Sequence, residues 1–292
     1  MKKKITFAGL LLICIMILST ISLTFGNFAT ATTGAANFLP NNFQPWADPK
    51  NTPPTLPLDT LNEIALSEEI ADYITLVFIF QGYNNVEDIR NTNCDPATFK
   101  STIGALSNYD KGVIYSKGHR TAYTHTCGNT HMGLIMHDNE TSVADYEIGS
   151  LTSSKIKHAF IWHCETGIIP IGPNPDTCGY RGMPKAVTNN TSIAWWGTSG
   201  SQVYLGWNNT QVSGSPLPSG SPQYEWTLIG ASSASYNYGD VAILYYGFAG
   251  SWGYSTADAL IQLSYVLYGK SFADTSLAYW LVVYGNMYLG LP

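Results

Sequence analysis

The stretch "AFIWHCETG", Ala159 to Gly167, joins an apolar run to a cysteine, an acid, a threonine and a glycine. Its first residues, through His163, are typical of a strand buried on both faces of a sheet. A side chain directly behind such a strand lies at the carboxyl end of a parallel sheet, where α/β proteins bind their ligands. Cys164 is therefore either a nucleophile at the end of a buried strand or one half of a disulfide.

Other apolar runs along the chain alternate with helical patterns. We predict helices over 96–108 and over 255–268, the second with Ser255 or Thr256 as a candidate N-cap and Gly269 as its stop. The strand candidates are residues 73–80, 112–116, 133–136, 159–163, 191–196 and 280–284. This alternation predicts an α/β fold with a mainly parallel central sheet flanked by helices on both faces.

The segment 198–253 has a different composition and is rich in Gly, Ser, Tyr and Trp. Such a composition favours extended surface loops that carry aromatic side chains. We expect this region to contact a ligand rather than to form the core.

The N-terminal residues have the pattern of an export signal. Lys2, Lys3 and Lys4 precede an apolar run over 5–25, and Ala29-Thr-Ala31 offers a cleavage site between small residues. The organisation that we predict is a signal peptide at 1–31, a flexible arm rich in Pro, Asn and Thr at 32–66, and one α/β domain at 67–292. An uncleaved N-terminal anchor is the alternative for the first segment, and both place the domain outside the cytoplasm.

Composition narrows the classes of partner. The formal net charge is -6, and no Lys/Arg block occurs beyond residue 4, so we expect no nucleic-acid binding. Glycosylation sequons begin at Asn139, Asn189, Asn190 and Asn208, as expected of an exported glycoprotein.

A second chemically reactive side chain follows an earlier strand candidate. His119 ends the stretch "GVIYSKGH", 45 residues before Cys164. If the two strands are adjacent and parallel, the imidazole and the thiol face one cleft. A free thiol has a pKa of about 8.5 and needs such a neighbour to supply the thiolate that acts as the nucleophile. The spacing therefore makes His119 and Cys164 a candidate catalytic dyad.

The cysteines leave the disulfide alternative open. Cys94, Cys127, Cys164 and Cys178 follow the export signal, and four cysteines allow three pairings. We expect Cys178, in a Pro/Gly-rich loop, to pair with Cys94 or Cys127, which leaves Cys164 and one odd cysteine free. A bridge between Cys164 and Cys178 is the alternative, and it would block the proposed chemistry.

A histidine series suggests a metal site as a rival. His119, His125, His131 and His137 recur every six residues around Cys127. Several imidazoles can bind zinc or copper, but turn signals interrupt the segment and no HExxH or CxxC pattern occurs. We therefore expect no dedicated metal site and no cofactor.

The residues on which these expectations rest resemble a known family. "AFIWHCETG" resembles the strand-cysteine motif of the caspase-like cysteine peptidases, especially the CHAT branch, in which apolar strand residues run into Cys-Glu-Thr-Gly. "GVIYSKGHR" resembles the histidine strand of that fold, and "YWLVVYGNMYLGL" (279–291) resembles the closing strand of CHAT and gingipain-like domains. The order and spacing of histidine and cysteine agree, and the resemblance covers 67–292.

The resemblance implies roles for individual residues. Cys164 would be the nucleophile and His119 its general acid and base, in peptide hydrolysis through an acyl-enzyme thioester. The oxyanion hole would consist of the backbone N–H groups of Cys164 and of Arg120, which stands where the family has glycine. Asp110, Asp145, Asp176 and Asp240 are candidates for a pocket that reads a basic side chain, as in the gingipain-like branch.

The hypothesis from the sequence is thus a secreted cysteine endopeptidase with a caspase-like α/β fold. Its partner would be a protein or peptide substrate, and it would contact a membrane only through an uncleaved N-terminal segment. The alternative is a non-catalytic caspase-like cell-surface domain that binds proteins or glycans through the aromatic loops of 198–253.

Overall fold

The computed structural model describes residues 31–40, 60–138, 141–163, 165–169, 179, 182–208, 228, 230–233 and 235–292, with only the backbone for 60–65. Within these residues nine strands run in chain order: β1 (Thr33–Leu39), β2 (Asn85–Arg90), β3 (Lys111–Lys117), β4 (Arg120–Thr124), β5 (Thr130–Ile135), β6 (Ser142–Ala144), β7 (Ile156–Trp162), β8 (Val203–Trp207) and β9 (Leu281–Gly285). The α-helices are α1 (Thr60–Phe80), α2 (Pro96–Leu106), α3 (Asp145–Leu151), α4 (Met183–Thr188), α5 (Tyr238–Tyr246), α6 (Thr256–Tyr268) and α7 (Leu277–Trp280).

Six strands form the central sheet, in the order β2-β1-β3-β7-β8-β9. Every neighbouring pair is parallel except β8 and β9, which run antiparallel at one edge. Strands β4, β5 and β6 form a separate three-stranded antiparallel sheet between β3 and β7 in the chain. The predicted α/β fold with a mainly parallel central sheet is confirmed.

Helices cover the sheet on both faces. Along β7, Phe160 and Trp162 pack with apolar residues of α1, α5 and α6, whereas Ala159 and Ile161 pack with those of α2, α3 and α4. Because successive side chains of a strand point to opposite faces, alternate residues of β7 enter two different apolar clusters. This explains why its sequence is apolar without alternation.

The two strands that precede the candidate dyad are neighbours. β3 and β7 pair in parallel, and Lys117, the last residue of β3, stands opposite Trp162, the last of β7. The predicted helix at 255–268 is confirmed as α6, with the Ser255 hydroxyl accepting from the Asp258 N–H and Gly269 ending it at φ +66°.

Two strand predictions are wrong. The run 73–80 belongs to α1, because a continuous apolar run does not by itself distinguish a buried strand from a helix. This helix buries one face, and Leu76, Ile79 and Phe80 of the run are exposed. Residues 191–196 form no strand, and only an isolated bridge joins Trp195 to Tyr284. The strand at this place in the sheet is instead β8.

The predicted flexible arm is wrong for β1, which lies within it. This strand pairs with β2 on one side and β3 on the other, so it occupies the interior of the sheet. Its Gly34 allows a close contact, since a Cβ there would lie 2.6 Å from the ring of Tyr109. Residues 41–59 of the predicted arm, and residues 1–30 with nearly all of the predicted signal, lie outside the described residues.

The expectation for the segment 198–253 also needs correction. Trp207, Tyr238, Tyr245 and Tyr246 are buried and belong to the cluster beneath α1 and α6. Trp252, by contrast, is 52% exposed. The aromatic residues of this segment therefore build the core to a large extent, because β8 and α5 lie within it. Within the part of the chain that the structure describes, no helix is both long and apolar enough to cross a membrane.

Candidate functional site

The structure brings the surroundings of the predicted dyad together at the carboxyl ends of β3 and β7. His119 lies two residues beyond β3 and is half-buried. Cys164 lies outside the described residues, but His163 before it and Glu165 after it are described. Each of these two neighbours contacts the segment that contains His119.

His163 links the two strand ends from a fully buried position. Its Nδ1 lies 2.6 Å from the carbonyl oxygen of His119, and its Nε2 lies 2.8 Å from the hydroxyl of Ser116. Because a carbonyl only accepts, Nδ1 carries the proton and Nε2 accepts from the hydroxyl. Burial lowers the pKa of His163 to about 3, so the ring is neutral. The residue just before Cys164 is thereby bonded to the backbone of His119.

Glu165 makes the second link. Its carboxylate forms an ion pair with the guanidinium of Arg120, and both side chains are mostly buried, at 15% and 21% exposure. Glu165 has φ +54°, a left-handed conformation that few residues other than glycine adopt. The ion pair therefore fixes a turn directly after position 164, and it gives Arg120 an acidic partner.

Thr166 and Gly167 anchor the remainder of the turn. The Thr166 hydroxyl lies within hydrogen-bond distance of two carbonyl oxygens, 2.7 Å from that of Ile161 and 2.8 Å from that of His163. The Gly167 N–H donates to the carbonyl of Trp207 over 2.9 Å. A Cβ at Gly167 would lie 2.2 Å from Cγ2 of Val282, so this position requires glycine. The described residues of the Cys-Glu-Thr-Gly motif thus have packing or hydrogen-bonding reasons for their identity.

A second cluster of reactive side chains lies in the β4–β5 hairpin. His125, Cys127 and His131 each place a nitrogen or sulfur atom within 4.8 Å of the others. The carboxylate of Asp145, at the start of α3, lies 2.5 Å from Nδ1 of His131. The histidine spacing indicated this cluster only in part, because the carboxylate comes from another element.

The described cysteines restrict the disulfide alternatives. Cys127 is disulfide-bonded, whereas Cys94 is free and buried. The expected pairing of Cys178 with Cys94 is therefore wrong, because α2 buries that thiol beside Phe99 and Ile103 in the apolar cluster. Burial raises the pKa of Cys94 to about 12, which makes it a poor nucleophile at neutral pH.

The candidate specificity acids have other partners. Asp110 accepts hydrogen bonds from the backbone and hydroxyl of Thr32, each over 2.9 Å. Asp240 lies in the first turn of α5 and accepts from the N–H of Asn237 over 2.8 Å. Asp176 lies outside the described residues. These contacts give Asp110, Asp145 and Asp240 structural roles.

Two further residues of the candidate site were missed from the sequence. They are His163, the last residue of the predicted strand 159–163, and Ser116, the last residue of the predicted strand 112–116. Both are polar residues near the carboxyl ends of apolar runs, which could have drawn attention to them. These runs form β3 and β7, which are neighbours in the sheet. Only the register of these strands shows that the hydroxyl and the imidazole meet.

Comparisons with known proteins identify no family. No protein-family model matches this chain, and no curated protein matches it. Among solved structures, the crystal structure of protein GSU0716 from Geobacter sulfurreducens is similar, with a TM-score of 0.38 and 12% sequence identity. The similar region covers 68% of this chain and 77% of that one. At this level of similarity the neighbour carries no argument about the fold or function of this chain.

Proposed function

We propose that this chain is an exported cysteine endopeptidase with a caspase-like fold, in which Cys164 is the nucleophile and His119 its acid–base partner. One observation carries the proposal: the residue before position 164 is hydrogen-bonded to residue 119, and the residue after it forms an ion pair with residue 120. His163 donates to the carbonyl of His119, and Glu165 pairs with Arg120. Two independent contacts thus hold the dyad-bearing segments against each other.

The topology supports the same assignment. β3 and β7 are parallel neighbours that end at the same level, so the segments behind them share one edge of the sheet. The last long helix, α6, and the closing strand, β9, occupy the chain positions that the resemblance to CHAT and gingipain-like domains implies. Helices on both faces of a mainly parallel sheet agree with that fold class.

The chemistry needs only residues of the chain and water. The imidazole of His119 accepts the thiol proton of Cys164 while the sulfur attacks the peptide carbonyl carbon. The C–N bond then breaks, and the imidazolium gives the proton to the leaving amine, which leaves an acyl-enzyme thioester. Water, deprotonated by His119, hydrolyses the thioester and restores the thiol. The backbone N–H groups of Cys164 and Arg120 would stabilise the oxyanion.

The ion pair of Arg120 bears on the main objection to this mechanism. An arginine at the oxyanion position would obstruct substrate if its side chain lay across the cleft. The carboxylate of Glu165 instead holds the guanidinium by a charge-assisted contact. Loss of the family's glycine therefore changes the side chain beside the histidine and retains the N–H that the chemistry uses.

The disulfide of Cys127 supports an exported protein, because such bonds persist in oxidising compartments. The proposal further requires a free thiol at Cys164, and hence pairing of Cys127 with Cys178. Glycosylation would use sequons other than Asn189, whose Nδ2 donates to the carbonyl of Thr152 over 2.6 Å. The proposed partner is a protein or peptide substrate, with no nucleic acid.

Activity on unfolded protein tests the proposal. We expect the purified domain to cleave a denatured protein mixture, and Cys164→Ala and His119→Ala to abolish cleavage while remaining folded. Cys94→Ala is the matched control, because its thiol is buried away from water. Cleavage that survives in Cys164→Ala would rule out the assigned nucleophile.

The non-catalytic alternative is less well supported. It relies on aromatic loops in 198–253, and five described aromatic residues of that segment are buried in the core: Tyr204, Trp207, Tyr238, Tyr245 and Tyr246. A protein that binds glycans or peptides without cleaving them, with Cys127 joined to Cys164, would favour this alternative.

A further inference from the structure

The β4–β5 hairpin assembles a set of metal ligands that shares no residue with the proposed dyad. Antiparallel pairing of Thr124 with Thr130 brings His125 and His131 together across the turn. Their ring centroids are 5.5 Å apart, and Cys127 in the turn contributes its sulfur to the same cluster. Two imidazoles and one cysteine sulfur are ligand types that zinc favours.

Asp145 orients one of these imidazoles. Its Oδ1 lies 2.5 Å from Nδ1 of His131, and its carboxylate accepts backbone N–H bonds from Met132, Tyr146 and Gly182 over 3.2, 2.8 and 2.6 Å. With four donors around it, this fully buried carboxylate acts as an acceptor. Nδ1 of His131 therefore donates to this carboxylate, and Nε2 is the nitrogen that faces the cluster.

The geometry at the sulfur already matches metal coordination. Nε2 of His131 lies 3.5 Å from Sγ of Cys127. Tetrahedral zinc with Zn–S of about 2.3 Å and Zn–N of about 2.05 Å places a sulfur and a nitrogen ligand about 3.6 Å apart. An imidazole whose other nitrogen donates to a carboxylate is also the usual arrangement around protein-bound zinc.

We propose that His125, Cys127 and His131 form a transition-metal site, suited to Zn²⁺, that becomes available when the disulfide of Cys127 is reduced. A dithiol reductant gives the disulfide two electrons and two protons and itself becomes a disulfide. A phosphine gives two electrons and becomes its oxide, with the oxygen and both protons taken from water, and either reaction leaves two thiols. The metal then displaces the Cys127 thiol proton and binds the thiolate. Three protein ligands leave a fourth tetrahedral position for water or another ligand. Asp145 is a positioning residue that acts through His131.

Cobalt titration of the intact exported domain tests this site. The protein is reduced with a phosphine, freed of reductant without oxygen, and titrated with Co²⁺ alone. We expect a thiolate-to-cobalt charge-transfer band that saturates at one Co²⁺ per chain and disappears when Zn²⁺ is added. The oxidised protein should show no such band, since a disulfide supplies no thiolate.

Variants identify the ligands. Cys127→Ser should lose the band, and His125→Gln and His131→Gln should weaken Co²⁺ binding at least tenfold. Asp145→Asn should weaken it about 10- to 100-fold and keep the band. His137→Gln and Cys94→Ala are the matched controls and should bind as the wild type does. His125 is only half-buried, so its variant can be judged even if the buried ones fail to fold by circular dichroism.

Three results would overturn the proposal. They are a reduced wild-type protein without the band, an oxidised protein with it, and a Cys127→Ser protein that retains it. None of these readouts depends on peptidase activity. Failure of the proposed metal site is therefore distinguishable from failure of the proposed catalytic dyad.

Discussion

The Nδ1–H of His163 donates to the carbonyl oxygen of His119 over 2.6 Å, which joins the residue before the proposed nucleophile to the proposed base. Burial keeps the ring neutral, so its other nitrogen accepts from the hydroxyl of Ser116. The two strand ends are thus joined by side chains as well as by the sheet. We expect positioning of the proposed dyad to depend on an imidazole that takes no part in the chemistry.

The variant His163→Phe tests this positioning role. It keeps the ring shape but leaves the buried Ser116 hydroxyl without its partner, so we expect a loss of about 2–4 kcal/mol in the free energy of unfolding. We also expect slower labelling of Cys164 by a peptide electrophile. Ser116→Ala, which retains the bond to His119, should cost about 1 kcal/mol and label at the wild-type rate. Wild-type labelling of the phenylalanine variant would contradict the positioning role.

The ion pair between Arg120 and Glu165 is suited to a double-mutant cycle. Because both side chains are mostly buried, we expect Arg120→Met and Glu165→Gln each to cost about 1–2 kcal/mol. The double variant should be less destabilised than the sum, with a coupling energy of about 1 kcal/mol from urea unfolding. Additive losses would show that the two residues do not interact.

A pair of glycine substitutions tests the packing of the turn behind Cys164. In Gly167→Ala the new methyl group would overlap Val282 and approach the carbonyl of Trp207, so we expect a loss of at least about 2 kcal/mol. Gly104→Ala is the control. Gly104 lies within α2, and the nearest atom to a Cβ there, Cδ2 of Leu151, would be 4.0 Å away. It should stabilise the fold by about 0.5–1 kcal/mol, measured by thermal unfolding. Equal effects would contradict the proposed packing.

Two buried histidines predict acid sensitivity. Burial lowers the pKa values of His158 and His163 from 6.5 to about 3. Between these values the unfolded state binds more protons than the folded state, so stability is full above pH 6.5 and falls as the pH drops toward 3. Each histidine adds a slope of up to about 1.4 kcal/mol per pH unit.

The variant His158→Phe isolates one of these contributions. His158 stacks on Tyr245, whose hydroxyl keeps Thr256 as a partner in the variant. The free energy of unfolding should be measured with urea at several pH values. Between pH 6.5 and 4 its dependence on pH should be weaker in the variant by about 1.4 kcal/mol per pH unit, the contribution of one proton. An unchanged slope would show that His158 does not titrate on unfolding.

How much the sequence predicts depends on how each element is buried. β7 and α6 were predictable, because a two-face buried strand and a capped amphipathic helix each have a characteristic pattern. β1 was missed, since "TGAANFL" contains no β-branched residue after Thr33 and its strand is stabilised by its neighbours on both sides. α1 was mistaken for a strand where its apolar run is continuous.

The candidate site was likewise predictable only in part from the sequence. Cys164 and His119 could be proposed from strand endings, because the carboxyl edge of a parallel sheet is where such residues converge. The partners of these segments could not, since the bonds from His163 to Ser116 and from Arg120 to Glu165 depend on strand register and turn geometry. The contact of Asp145 with His131 joins two elements whose packing the sequence does not show.

Labelling of the intact, oxidised protein with a thiol-directed peptide electrophile, followed by non-reducing peptide mass spectrometry, tests the central claim most directly. We predict one adduct, on Cys164, with Cys127 joined to Cys178 and Cys94 unmodified. The adduct should be absent in Cys164→Ala and should form at least 100-fold more slowly in His119→Ala. An adduct that persists in Cys164→Ala, or a disulfide between Cys127 and Cys164, would contradict the account.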